Sequence, residues 1–191
     1  LMRQASVIRP DMVVLQYYIS SIEPKPIGQH SRLLEYSYLA NYLEYGFGIL
    51  KFAYQYHGDL FKYYETYYDD KNEAWVNTLS KIEEARAWAD KNKIPFYIMI
   101  CPDVHDLSSS SPYVNVVYKF KNALEQRHIA VVNSIPEFQR QYAGRESQLW
   151  IQYDDPHPNA LAHELMARSL FQFIVEMSSR SSDLGLKARD R

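Results

Sequence analysis

Residues 94–101 read Ile94-Pro95-Phe96-Tyr97-Ile98-Met99-Ile100-Cys101, with Pro102 immediately after. An apolar and aromatic run of this length, without a polar residue at every second place, is the pattern of a strand buried on both faces. That is the habit of parallel sheets, and Pro102 sets its end. Upstream, Glu73 to Lys91 puts Trp75, Leu79, Ile82, Ala85 and Trp88 or Ala89 on one face of an amphipathic helix. Downstream, Val114 to Arg127 predicts a helix and His128-Ile129-Ala130-Val131-Val132 a further strand. Nearer the start, Met12-Val13-Val14-Leu15-Gln16-Tyr17-Tyr18 is β-branched and aromatic, bounded by Pro10-Asp11 and Ser20-Ser21. Strands that alternate with helices build parallel βαβ units, so the fold class is α/β with three strands visible.

The remaining segments fill in around this frame. Pro24 and Pro26 mark a loop, and Ser31 to about Tyr56 is helical in period, with Gly46 and Gly48 placed to bend or divide it. Asp59 to Tyr68 and Pro136 to Tyr142 suggest short helices, and Ser108 to Pro112 a loop. Pro158 to Met177 reads as the last long helix, with Pro158 in the first turn where a missing N–H costs nothing. Residues 1–177 form the expected domain, and 178–191, rich in Ser, Arg, Asp and Lys, a frayed polar tail. Leu1, Ala5 and Ile8 at helical spacing before Pro10 read as the end of a helix begun upstream, with no signal peptide in view.

Composition narrows the function classes. The 191 residues carry 21 Lys and Arg against 23 Asp and Glu, a net charge of −2. With no basic excess to meet a phosphate backbone, nucleic acid is not an expected partner. Cys101 is the single cysteine, which excludes an internal disulfide and a thiolate zinc cluster. No run reaches the roughly 18 uncharged apolar residues of a transmembrane helix. The longest candidate, Leu33 to Tyr56, is broken by Glu35, Glu44 and Lys51.

Chemistry concentrates in Tyr153-Asp154-Asp155-Pro156-His157-Pro158-Asn159, followed by Ala162-His163-Glu164-Leu165-Met166-Ala167. A carboxylate and an imidazole three residues apart, just before a helix, can be held side by side. The acid then fixes the ring tautomer while the other nitrogen faces a nucleophile. The plain alternative is that Asp154 or Asp155 caps the following helix and His157 is an ordinary surface histidine. A zinc-protease site fails, because His163-Glu164 lacks a second histidine four residues on.

The pattern Asp-x-x-His-Pro-Asn, then a helix with His-x-x-Met-Ala, resembles the last block of the SGNH (GDSL) hydrolases. Pro10 to Tyr18 is similar to the strand leading into their third block. The resemblance implies a three-layer α/β/α, flavodoxin-like fold with five parallel strands, a serine nucleophile, an Asp–His pair and an oxyanion hole. Carried onto this sequence, His157 is the general base and Asp154 its orienting acid. Asp155 is then a bystander, and His163 serves packing or capping. No cofactor is implied.

Two departures accompany the match. The Gly-Asp-Ser turn and the second-block glycine are absent from these residues, and both are expected upstream of Leu1 together with the first two strands. On that expectation strand 12–18 has a bare edge open to pairing with another chain, and the 191 residues alone are inactive. At the third block the chain reads Ile19-Ser20-Ser21-Ile22-Glu23, so Ser20 stands where the family carries its oxyanion-hole asparagine.

Residues 31–70 hold ten of the 17 tyrosines. One reading is a helical pair packed on the sheet with half-buried rings. The other is a cap whose Tyr42 and Tyr45, with Tyr18 nearby, offer aromatic faces to a sugar ring or acyl chain. The leading function is hydrolysis of a small ester or an acetylated sugar through Ser-His-Asp chemistry. An acyltransferase on the same fold is the first alternative, and a degenerate glycan- or partner-binding protein the second.

Overall fold

The computed structural model describes residues 8, 10–23, 37–57, 59–153 and 155–187. The expected N-terminal helix, apart from Ile8, and the loop at Pro24 and Pro26 lie outside them, as does 31–36 of the first long helix. Residues Leu1–Ile19 with Lys81–Arg191 form one compact unit, and Ser20–Ser80 a second.

The first unit is built on three parallel strands in the order β1 (Val13–Tyr18), β2 (Phe96–Cys101), β3 (Ala130–Asn133). Tyr17 stands opposite Ile100 and Tyr18 opposite Cys101, while Met99 stands opposite Val132. Because side chains alternate along a strand, this register sorts them onto two faces. On one face Tyr17 packs against Phe120 of α4 (Pro112–Glu125), ring centroids 4.3 Å apart. The C-terminal end of α3 (Glu73–Lys91) is tied to the end of α4: Arg86 donates to the Arg127 carbonyl, and Glu83 pairs with Arg127 at 2.8 Å. On the other face Met99, Cys101 and Val132 meet Phe138 of α5 (Ile135–Tyr142) and Ala162, Leu165 and Met166 of α6 (Ala160–Lys187). Helices therefore cover both faces of a parallel α/β sheet. The apolar run at 96–101 is buried as its pattern requires, with Ile98, Ile100 and Cys101 at 0% exposure.

Among the described residues β1 pairs only with β2, so it is an edge of the sheet, half-buried over Val13–Leu15. Among the same residues no helix is long and apolar enough to cross a membrane.

Three expectations need correction here. Residues 150–158 are not a plain lead-in to a helix: β4 (Trp150–Gln152) and β5 (Asp155–Pro158) form an antiparallel hairpin, and Pro158 sits in its second strand, opposite Trp150. The helix after it is capped by Asn159, not by an aspartate, since Asn159 Oδ1 accepts the N–H groups of Leu161 and Ala162 at 3.0 and 3.1 Å. Finally, α6 runs to Lys187, through most of the segment expected as a polar tail. Once a helix is nucleated, extension adds one hydrogen bond per residue fixed, so polar composition alone does not stop it. The Ser178 and Ser179 hydroxyls bond back to the Ile174 and Glu176 carbonyls within the helix.

The second unit is helical. α1 (Tyr38–Tyr56) is capped by Ser37 and runs unbroken through Gly46 and Gly48, whose missing side chains cost only about 1 kcal/mol each in a helix interior. α2 (Leu60–Tyr67) is capped by Asp59, which accepts from the N–H groups of Phe61 and Lys62. The tyrosines of α2 pack edge-on with one another and with α1: Tyr63 lies 5.2 Å from Tyr56, 5.7 Å from Phe52 and 5.1 Å from Tyr67. Burial, reinforced by the Tyr67 hydroxyl, pushes the Tyr63 phenol well above the ordinary tyrosine range.

Candidate functional site

Open parallel sheets bind ligands beyond the carboxyl ends of their strands. The loop from Pro102 leaves that end of β2, and the β4–β5 hairpin is joined to it: the Trp150 indole Nε1 donates to the Val104 carbonyl at 2.8 Å. Asn159 holds the hairpin from the other side, its amide donating to the carbonyls of Gln148 (2.8 Å) and Trp150 (3.0 Å).

His157 projects from β5. Its Nδ1 lies 2.5 Å from Asp155 Oδ1, and its backbone N–H donates to the same oxygen at 3.1 Å. The hydrogen bond from the His157 ring, then that from its backbone N–H, holds the Asp155 carboxyl below the usual carboxylate range. The ring is 81% exposed, so one nitrogen is anchored while the imidazole stands in solvent. Asp155, set aside as a bystander, thus has a carboxylate oxygen on the imidazole. Residues two apart in an extended strand share a face, and the aspartate oxygen reaches the N–H two residues on. Asp154, the acid that the family pattern selects, lies outside the described residues.

A second pair of the same construction sits beyond β2. His105 Nδ1 lies 2.6 Å from Asp103 Oδ1, and the His105 N–H donates to that oxygen at 2.9 Å. This pair is less exposed, 39% for the imidazole and 15% for the carboxylate. The Asp103 hydrogen bond raises the His105 titration above its ordinary value, against a smaller opposing effect of burial. The ring stacks on Tyr113, centroids 5.8 Å apart and planes 21° from parallel, and lies 6.4 Å from Trp150. Sequence reasoning missed it, although Asp103-Val104-His105 repeats the spacing of Asp155-Pro156-His157. No protein-family model, curated protein or solved structure matches the chain.

Tyr18, at the end of β1, is hydrogen-bonded within the sheet. Gln16 donates to its hydroxyl at 3.1 Å, and the Cys101 thiol is a further hydrogen-bond partner. Burial, then Cys101, pushes the phenol up to about 12. Burial likewise raises the Cys101 thiol, the wrong direction for a reactive thiolate. Ser20 belongs to the second unit, exposed in the 3-10 turn Ile19–Ile22, where its carbonyl accepts the Glu23 N–H. Tyr42 is 73% exposed on α1, and the Tyr45 side chain lies outside what the structure describes. The structure therefore brings together His157 and Asp155, and separately His105 and Asp103. Among the described residues no three His, Cys, Asp or Glu side chains are arranged to hold a metal ion.

Proposed function

We propose that the chain is the C-terminal part of an SGNH-type serine ester hydrolase, with the nucleophile outside these 191 residues and His157 as general base. The observation that carries this is the exposed imidazole held at Nδ1 by a carboxylate, 2.5 Å from Asp155. In that arrangement the Nδ1 proton points at the carboxylate and the Nε2 lone pair faces outward. His157 takes the proton of a serine hydroxyl as it attacks the ester carbonyl. It returns that proton to the departing alcohol, then repeats the exchange with water to release the acid. The carboxylate fixes the tautomer and stabilises the imidazolium; it does not itself take the proton. Support comes from the Asp-x-x-His-Pro-Asn block with its following helix, and from a parallel α/β sheet that places the hairpin beside the carboxyl end of a strand.

The test is a fluorophosphonate probe on the natural gene product, including whatever precedes Leu1, with the adduct read by peptide mass. One labelled serine upstream of Leu1, with labelling lost in His157→Ala, is the expected result. General-base removal of this kind costs about 10²–10⁴ in rate. Asp155→Asn and Asp154→Asn then show which carboxylate serves the ring. Folded protein that takes no label overturns the hydrolase reading in favour of a binding protein, and a label on Ser20 overturns the placement of the nucleophile.

A further inference from the structure

The second imidazole–carboxylate pair has no part in the mechanism above, and its surroundings specify a ligand. It lies just past the carboxyl end of β2, in the loop that begins at Pro102. Tyr113, in the first turn of α4, stacks on one side of His105, and Trp150 stands at 6.4 Å. The indole plane is fixed, because its N–H is spent on the Val104 carbonyl. All three rings keep part of their surface open: His105 is exposed, and Tyr113 and Trp150 are half-buried. Trp150 belongs to the same hairpin as His157, standing opposite Pro158 in the ladder.

We infer that Asp103, His105, Tyr113 and Trp150 form a subsite for a neutral, polyhydroxylated ring, the sugar that forms the alcohol part of the ester. This rests on the hydrolase reading for its role but not for its chemistry. Aromatic faces present apolar surface to the C–H faces of a sugar ring, and a fixed imidazole edge offers a directed hydrogen bond to a ring hydroxyl. A hydroxyl both donates and accepts, so it suits the Nε2 of His105 in either protonation state. An anionic substituent does not fit. Protonated His105 beside ionised Asp103 is neutral overall, the neutral imidazole leaves the pair at −1, and the loop adds Asp106 with no Lys or Arg between 102 and 118. An acyl chain would cover the outward Nε2 edge of His105 without offering it a polar partner, at the cost of an unmade hydrogen bond.

The experiment is an NMR titration of the 191-residue chain, reading the histidine ring signals. The probes are methyl xyloside, methyl glucoside and N-acetylglucosamine, with glucuronate as the anionic comparison. At least one neutral sugar should move the His105 signals saturably, with the His163 signals as the unmoved internal reference and glucuronate at least tenfold weaker than that sugar. Tyr113→Ala should weaken this binding by tenfold or more, and in His105→Ala, read from the Tyr113 ring signals instead, the loss should be as large, with His105→Gln retaining part of the binding. No saturable shift at His105 with any of the neutral sugars, or tighter binding of glucuronate, overturns the subsite whether or not the variants fold. The two readings fail separately. Sugar binding at His105 with no fluorophosphonate label leaves a glycan-binding protein, and a labelled serine with no sugar response leaves an esterase whose alcohol part is held elsewhere.

Discussion

Asn159 is the residue on which the candidate site is hung, and Asn159→Ala measures it. Its Oδ1 accepts two N–H groups at the start of α6, and its amide donates to the carbonyls of Trp150, in the hairpin's first strand, and of Gln148, in the turn before it. Losing an asparagine N-cap costs about 1 kcal/mol, up to about 2 in protein hosts. Each carbonyl that loses its donor adds about 0.5–1.5 kcal/mol where water does not replace it. The expected loss is therefore about 2–5 kcal/mol, and each kcal/mol lowers the melting temperature by about 2–4 °C in a chain of this size. Asn159→Ser separates the two parts: a hydroxyl still caps but cannot reach both carbonyls, so it should recover about 1 kcal/mol. Ser134 supplies the contrast. It stands at the N-cap position of α5, is 1% exposed, and its hydroxyl neither caps the helix nor finds another partner. A buried hydroxyl without a partner carries a desolvation cost of about 1–3 kcal/mol, so Ser134→Ala should be neutral or stabilising. The assay is urea unfolding followed by far-ultraviolet circular dichroism for all three variants. A loss under about 1 kcal/mol in Asn159→Ala, or Asn159→Ser no better than alanine, would refute Asn159 as both cap and hairpin anchor.

Four further outcomes follow from the geometry. Asp103→Asn should lower the His105 titration, read from its ring signals by NMR. Because the folded value is raised, this pair's stabilisation is full below the unfolded histidine pKa near 6.5 and is lost as pH rises through the folded value; an Asp103→Asn deficit larger at pH 8 than at pH 5 would contradict that sign. Phe120→Ala, at a fully buried ring packed on Tyr17, should cost about 3–5 kcal/mol in the same unfolding assay. Tyr42→Ala, on a 73% exposed side chain, should stay within about 0.5 kcal/mol of the parent, so any change in ligand preference would be separable from stability. Cys101, at 0% exposure with its thiol pushed up by burial, should react with a maleimide slowly in buffer and fast in urea; equal rates would place it at the surface.

The frame was legible because burial writes itself into periodicity. Ile98, Ile100 and Cys101 are wholly buried where the unbroken apolar run requires it, and α3 spans Glu73–Lys91, the bounds its apolar face sets. What escaped was structure held by side chain–backbone hydrogen bonds. Nothing apolar distinguishes Asp155-Pro156-His157-Pro158 as a strand. Its pairing depends on Trp150 across the ladder and on the amide of Asn159, contacts between residues eight or more apart. Without the hairpin in view, the helix start fell on Pro158, and the cap at Asn159 went unread. The polar residues after Met177 carried no stop signal, only a composition, and α6 continued through them.

The same physics explains how a carboxylate two residues away comes to lie on His157. An aspartate that accepts the N–H of the residue two places on brings its oxygen to that residue's ring, at 155–157 and again at 103–105. The two pairs are alike in covalent pattern and unlike in surroundings: Asp155 is 36% exposed and Asp103 15%. Solvation then divides the labour. On the two proposals above, the more exposed edge of His157 meets the nucleophile, whereas the His105 ring, beside Tyr113 and Trp150, meets the ligand. Exchanging the surroundings should exchange the behaviour. Tyr113→Ser strips one wall from His105 without touching Asp103, so the sugar response should vanish while the 2.6 Å pair and its raised titration persist. A Tyr113→Ser protein that still moves the His105 signals with sugar would show that the imidazole, not the aromatic wall, selects the ligand.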